Sequence, residues 1–172
     1  MELPILIINP VFTDNRGIFA PLPLSFENNK LKFLNKKWIQ SNVSYNPKKL
    51  TLRGLHYQNN PYSQTKLVKV ISGSIIDFAI DLRKWSENYK KCFIFEMKQG
   101  CELYVPKEFA HGFITTEDNT IVQYLVDSPY HRESESSIIW NSIPYIVEYL
   151  NENIKESLWS DNILISEKDS HI

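Results

Sequence analysis

Short apolar runs rich in Ile, Val, Phe and Tyr recur along the chain, separated by Gly, Pro, Asn, Asp and Ser. In Ile121-Val122-Gln123-Tyr124-Leu125-Val126 the alternation places Val122, Tyr124 and Val126 on one face of a strand. The same reading predicts a strand over Ile5–Phe12 broken at Pro10, a turn over Thr13–Gly17, a strand over Trp38–Ser44 and a loop over Asn46–Lys49. Residues 24–36 alternate little and read as a helical turn or an irregular loop. Leu67–Ile71 runs into Ser72-Gly73-Ser74, a hairpin signal, and Ile75–Asp81 follows. Further strands are expected over Cys92–Met97, closed by Lys98-Gln99-Gly100, and over Glu102–Val105, Thr120–Val126 and Ser137–Trp140. Ile143–Ile154 has weak helical character. Short strands with turn signals every ~8–12 residues indicate an all-β sandwich or barrel. A jelly roll with short peripheral helices is the expected form, because its two layers enclose a small-molecule cavity.

Composition narrows the class. A chain of 172 residues with 42% apolar and 23% charged residues fits one globular domain, taken as residues 1–172. The formal net charge of -1 gives no polyanion-binding surface, so no nucleic-acid partner is expected and any anion site is local. Cys92 and Cys101 lack metal-ligand spacing and are expected to be buried free thiols. The start, Met1-Glu2-Leu3-Pro4, lacks a basic stretch leading into a long apolar run, and no apolar run reaches ~18 residues. A cytoplasmic enzyme or binding protein, with no membrane association, is the expectation.

Candidate chemistry centres on Leu52-Arg53-Gly54-Leu55-His56-Tyr57-Gln58. His56 has the residue type of a general base, set against the alternative of a packed core histidine. Lys66 would lie one strand pairing away if Asn59–Thr65 closed a hairpin. Facing inward it would stabilise an enolate oxygen; facing outward it is a surface lysine. Arg53 suits bidentate phosphate recognition. Tyr124 is either a core phenol or a general acid, and Tyr130 is a loop aromatic able to stack on a flat ring. No two histidines stand two apart: His56 and His111 are isolated, and His131 and His171 read as surface positions, so no zinc or iron site is expected.

Taken together and in order, Phe12–Phe19, Gln40–Ser44, Leu52–Gln58, Gln64–Val68, Gly73–Arg83, Pro106–Phe113, Tyr124–Trp140 and Leu164–Asp169 resemble the dTDP-4-dehydrorhamnose 3,5-epimerase family. The resemblance implies a cupin-type jelly-roll homodimer acting on a nucleoside-diphosphate 4-keto-6-deoxy sugar without metal or organic cofactor. It implies His56 as base, Asp169 as its orienting partner, Tyr124 as acid and Lys66 near the ketone oxygen. Arg16, Phe19, Gln40, Asn42, Arg53, His111, Glu135 and Lys168 match its substrate-binding positions, and Tyr130 its nucleobase-stacking tyrosine. Arg16 and Phe19 are expected to reach the neighbouring subunit's site.

The chain departs from the family pattern at Ala20-Pro21, where an aromatic and a glutamate are usual, and at Ser41, Pro129 and Asn141-Ser142. These positions leave the nucleotide (dTDP, GDP or CDP) and the exact sugar open, while the proposed base, acid and cation stand. Two alternatives are carried forward: an enzyme inverting carbon 3 or carbon 5 alone, and a non-catalytic sugar-nucleotide-binding cupin.

Overall fold

The computed structural model describes residues 2–14, 17–21, 36–154 and 159–170. The strands are β1 (Ile5–Ile8), β2 (Phe12–Asp14), β3 (Gly17–Phe19), β4 (Gln40–Asn46), β5 (Leu52–Gln58), β6 (Lys66–Ser72), β7 (Ser74–Asp81), β8 (Cys92–Lys98), β9 (Cys101–Val105), β10 (Phe109–Thr115), β11 (Thr120–Val126) and β12 (Glu135–Ser137). Two helices follow, α1 (Pro144–Asn153) and the short α2 (Glu167–Ser170). The first sheet has the order β1-β9-β6-β11-β4 and the second β12-β5-β10-β7-β8. β2 and β3 form a separate hairpin.

The sheets face one another across a shared apolar layer. Val68, Val70, Leu103 and Val122 of the first pack against Ile75, Ala79, Met97, Phe109 and Phe113 of the second. The alternate residues of β7, Ile76, Phe78 and Ile80, face the other way and meet Ile146 and Leu150 of α1. Both faces of β7 are therefore covered, which explains a strand that is apolar nearly throughout. Pro144 opens α1 where a missing N–H leaves no helical bond unmade. The architecture is the expected cupin-type jelly roll.

Several local expectations need correction. Ser72-Gly73-Ser74 is not a hairpin: β6 pairs with β9 and β11, whereas β7 pairs with β8 and β10. Gly73, at φ +76°, turns a corner between the sheets, since alternation and a glycine mark both kinds of turn alike. For the same reason Lys66 is not a hairpin neighbour of His56; it stands on the sheet opposite. The strand expected over Ser137–Trp140 lies earlier, at Glu135–Ser137, and Trp140–Ser142 is a 3-10 turn. The strand expected from Trp38 begins at Gln40 and runs to Asn46. Cys101 is buried and Cys92 half-buried, both as free thiols. Most of residues 24–36, together with Arg16 and His171, lies outside the described residues. No described helix is long and apolar enough to cross a membrane.

Candidate active site

β5 carries Arg53 and His56, three residues apart, and regular alternation would send them to opposite faces. The register resolves this. His111 of β10 lies opposite His56, but Phe113, only two residues on, lies opposite Arg53. β5 thus holds one residue more than its partner over this stretch, a bulge that turns both side chains into one cavity. Gly54 makes the bulge possible. Its φ is +101°, and a Cβ there would stand 2.7 Å from the His111 carbonyl oxygen. Gly112 faces it, with room for a Cβ equally absent: 2.6 Å to the Arg53 carbonyl oxygen.

The C-terminal segment is tied alongside. Leu52 donates its N–H to the Leu164 carbonyl and Leu164 donates to that of Leu50, both at 2.9 Å. Two residues on, Ser166 caps α2: its carbonyl and Oγ accept the Asp169 N–H at 3.0 and 3.3 Å. That turn aims Asp169 at β5. Its Oδ1 lies 2.6 Å from His56 Nε2, and its Oδ2 accepts the Gly54 N–H at 3.2 Å.

A cavity of about 450 Å³ opens between the sheets here. His56, Arg53 and His111 reach it from the second sheet, with Glu135 on β12; Lys66, Asn42 and Tyr124 reach it from the first, and Lys168 and Asp169 from α2. Lys66 Nζ donates to the His56 carbonyl at 3.4 Å, Arg53 Nε to Asn46 Oδ1 at 2.7 Å. Lys168 Nζ pairs with Glu135 Oε1 at 2.7 Å, and Tyr130 donates its hydroxyl to Glu135 Oε2 at 2.9 Å.

The electrostatics suit proton transfer. Burial lowers the His56 pKa below its usual 6.5, aided by Lys66 and Lys168 and opposed by Asp169, so its ring is neutral at neutral pH. Burial also brings Lys66 down to about 8, against the pull of Asp77 and Glu135, which leaves it largely protonated at pH 7. Burial raises the Tyr124 phenol, with Arg53 opposing, so it keeps its proton. Burial pushes the Glu135 carboxyl up, but the hydrogen bonds from Lys168 and Tyr130 outweigh it and hold Glu135 below the usual range.

Three of the expected residues that are described do not line the cavity. Phe19 sits on the β2–β3 hairpin, 67% exposed, its ring stacked 6.3 Å from Phe12. Gln40 donates to Asn42 Oδ1 at 2.7 Å beside the opening. Tyr130 is exposed beside Glu135, and Arg16 lies outside the described residues. His131, expected at the surface, is half-buried and stacked 3.9 Å from the Tyr62 ring. Among the described residues no group of three or more His, Cys, Asp or Glu side chains is placed to hold a metal ion.

Two residues escaped the sequence reading. Asp77 lies buried on β7 with Oδ2 2.9 Å from His111 Nε2. A lone acid amid Ile75-Ile76 and Phe78-Ala79-Ile80 was its signal, since buried carboxylates need a partner. Ser166 was signalled by Ser-x-x-Asp spacing, the pattern of a helix cap.

A family model described as dTDP-4-dehydrorhamnose 3,5-epimerase matches residues 3–172. The protein of that name from Methanothermobacter thermautotrophicus is 36% identical over 169 residues, covering 95% of this chain and 85% of that one. A crystal structure of the Bacillus anthracis enzyme, with TDP and PPi bound, is similar at a TM-score of 0.75 and 34% identity over 98% of this chain and 92% of the other. The Elizabethkingia anophelis structure gives a TM-score of 0.78 and 33% identity over 98% and 88%.

Proposed function

The chain belongs to the dTDP-4-dehydrorhamnose 3,5-epimerase family, and from that premise we propose that it inverts carbons 3 and 5 of a dTDP-linked 4-keto-6-deoxy-hexose. It is an epimerase, hence an isomerase. The observation that carries the reading is the division of the cavity wall: His56 with Asp169 on the side of the second sheet, Tyr124 on the sheet opposite. Inversion removes a proton from one face of a carbon and returns one to the other face, so base and acid must flank the ring.

The 4-ketone acidifies the hydrogens on its neighbouring carbons. Asp169 holds His56 Nε2, so the neutral ring carries its proton there and Nδ1 is the basic nitrogen. His56 takes the carbon-bound proton, the electron pair moves to the 4-oxygen, and the Lys66 ammonium stabilises the enolate. Tyr124 delivers a proton to the same carbon from the opposite face. His56 and Tyr124 then regain their starting states by exchange with solvent, and the second carbon follows the same course. Arg53 is suited to the diphosphate; Asn42, His111, Glu135 and Lys168 position the sugar and nucleotide, and Tyr130, steadied by Glu135, stacks on the nucleobase. Protein side chains supply base, acid and cation, so no cofactor is required.

One catalytic unit, residues 1–172, is proposed, working as a homodimer. β4 is an edge strand whose Asn42 and Val43 line the cavity, and its Val43 and Tyr45 are 66% and 56% exposed. Phe12, Ile18 and Phe19 are exposed on the β2–β3 hairpin. A second copy over this face would bring Phe19, with Arg16 in the same hairpin connection, to the partner's cavity.

Proton NMR in deuterated water with a dTDP-4-keto-6-deoxy-glucose substrate tests the reading. Deuterium should enter at carbons 3 and 5, and His56→Asn should slow that exchange by about 10²–10⁴-fold. Label at a single carbon identifies a mono-epimerase; binding without exchange by the unsubstituted protein identifies a non-catalytic binder.

A further inference from the structure

Tyr130 is exposed on the loop between β11 and β12, outside any strand or helix. Gln58, the last residue of β5, restrains that loop. Its side chain is buried and its amide is used on every side. Nε2 donates to the Pro129 carbonyl at 3.0 Å and to the Tyr62 carbonyl at 2.8 Å, while Oε1 accepts the His131 N–H at 2.6 Å. Two carbonyls and one N–H fit a side-chain amide in this orientation; a carboxylate could not donate to the carbonyls, and a thioether could do neither. The peptide groups on both sides of Tyr130 are thus held by one side chain.

Neighbouring contacts close the same frame. Gln64 Nε2 donates to the Ser128 carbonyl at 2.8 Å, and Thr65 donates its N–H to Asp127 Oδ1 at 2.7 Å. Tyr62, whose carbonyl Gln58 also holds, stacks its ring 3.9 Å from that of His131. Tyr130 donates its hydroxyl to Glu135 Oε2, and Glu135 lies directly opposite Gln58 in the β5–β12 pairing. Backbone and phenol oxygen of Tyr130 are therefore anchored at facing positions of two paired strands, while 55% of the residue stays exposed. Order without burial suits a platform for a flat ligand, because the cost of fixing the ring is met before binding. We propose that Gln58 is a positioning residue for nucleotide recognition: it clamps both peptide groups of Tyr130, so that the ring is set before a nucleobase reaches it. The inference rests on the reading of Tyr130 as the nucleobase-stacking residue and is separate from the proton transfers.

Calorimetric titration with dTDP across a double-mutant cycle separates the clamp from general damage. Tyr130→Ala should weaken binding at least about fivefold, through loss of a base–aromatic stack. Gln58→Met keeps the side-chain length but lacks the amide. It should weaken binding roughly three- to tenfold, and the loss should fall on KM for the keto-sugar nucleotide rather than on kcat. In the Tyr130→Ala background, Gln58→Met should have no further effect on dTDP affinity. A folded Gln58→Met that binds dTDP as tightly as the unsubstituted protein overturns the proposal and leaves the stacking reading in place. An undiminished loss in the Tyr130→Ala background also overturns it, since a merely structural residue would behave so. Tyr130→Ala with full dTDP affinity removes the stacking reading and the proposal with it. Should Gln58→Met not fold, the unsubstituted protein decides: the His131 amide should be protected from hydrogen exchange before dTDP is added, and free exchange that slows only on binding overturns the clamp. If the cycle runs as stated while the unsubstituted protein exchanges no substrate protons, the clamp stands and the epimerase reading fails.

Discussion

His56 can accept a proton only while its ring is neutral, and Lys66 can stabilise an enolate only while it is charged. Burial displaces both from their ordinary values in the same downward direction, with opposite consequences. For His56 the shift extends activity toward acid, because the base form persists below the usual 6.5. For Lys66 it withdraws activity from alkali, because the ammonium is lost as pH rises through about 8. The kcat/KM profile should therefore be a bell with its acid limb below 6.5 and its alkaline limb near 8. A profile flat up to pH 10 removes Lys66 from the oxyanion role. At this scale residue type made His56, Lys66 and Tyr124 legible as candidates in the sequence. Asp77 was not, because a strand pattern shows that an acid interrupts an apolar run but not which histidine waits on the next strand.

The strand β5 shows why spacing alone misplaces side chains. Arg53 and His56 share a cavity only through the extra residue at Gly54, so the site depends on a backbone irregularity that alternation cannot reveal. Gly54→Ala should cost more than ~2 kcal/mol, combining positive-φ strain with a Cβ forced against backbone. Denaturant unfolding measures that loss. A folded survivor should lose exchange activity at least ~10²-fold, since small misplacement of a base is expensive; an alanine variant with unchanged stability and rate contradicts the bulge as the device that unites these residues. The corner at Gly73 carries the same lesson. The positions of β6 and β7 were readable from their apolar runs, but their assignment to opposite sheets was not, because it is decided by long-range pairing with β9, β11, β8 and β10. Lys66 consequently reaches the cavity from the opposite sheet rather than from a strand paired with that of His56.

For the molecule as a whole, one protomer leaves part of the expected site unassembled. Phe19 is exposed and does not line its own cavity, while Val43 of β4 is both exposed and part of that cavity's lining. A second copy covering this strand would remove Val43 and Tyr45 from water and exchange hairpins, so each site would draw on two chains. Such sharing has a signature that simple dimerisation lacks. His56→Asn removes the base from its own site but still lends its hairpin to a partner; Phe19→Ala keeps its base but lends a defective hairpin. Mixed after unfolding and refolding together, the two weakened variants form hetero-dimers in which one site has both an intact base and an intact lent hairpin. Random pairing makes half of the dimers mixed, so recovery should approach about a quarter of unsubstituted activity. Recovery no greater than the sum of the two variants refolded apart would place Phe19 outside the partner's site. Tyr45→Glu, which sets a charge into the apolar face, should yield monomers by sedimentation and lower activity in proportion to the dimer lost.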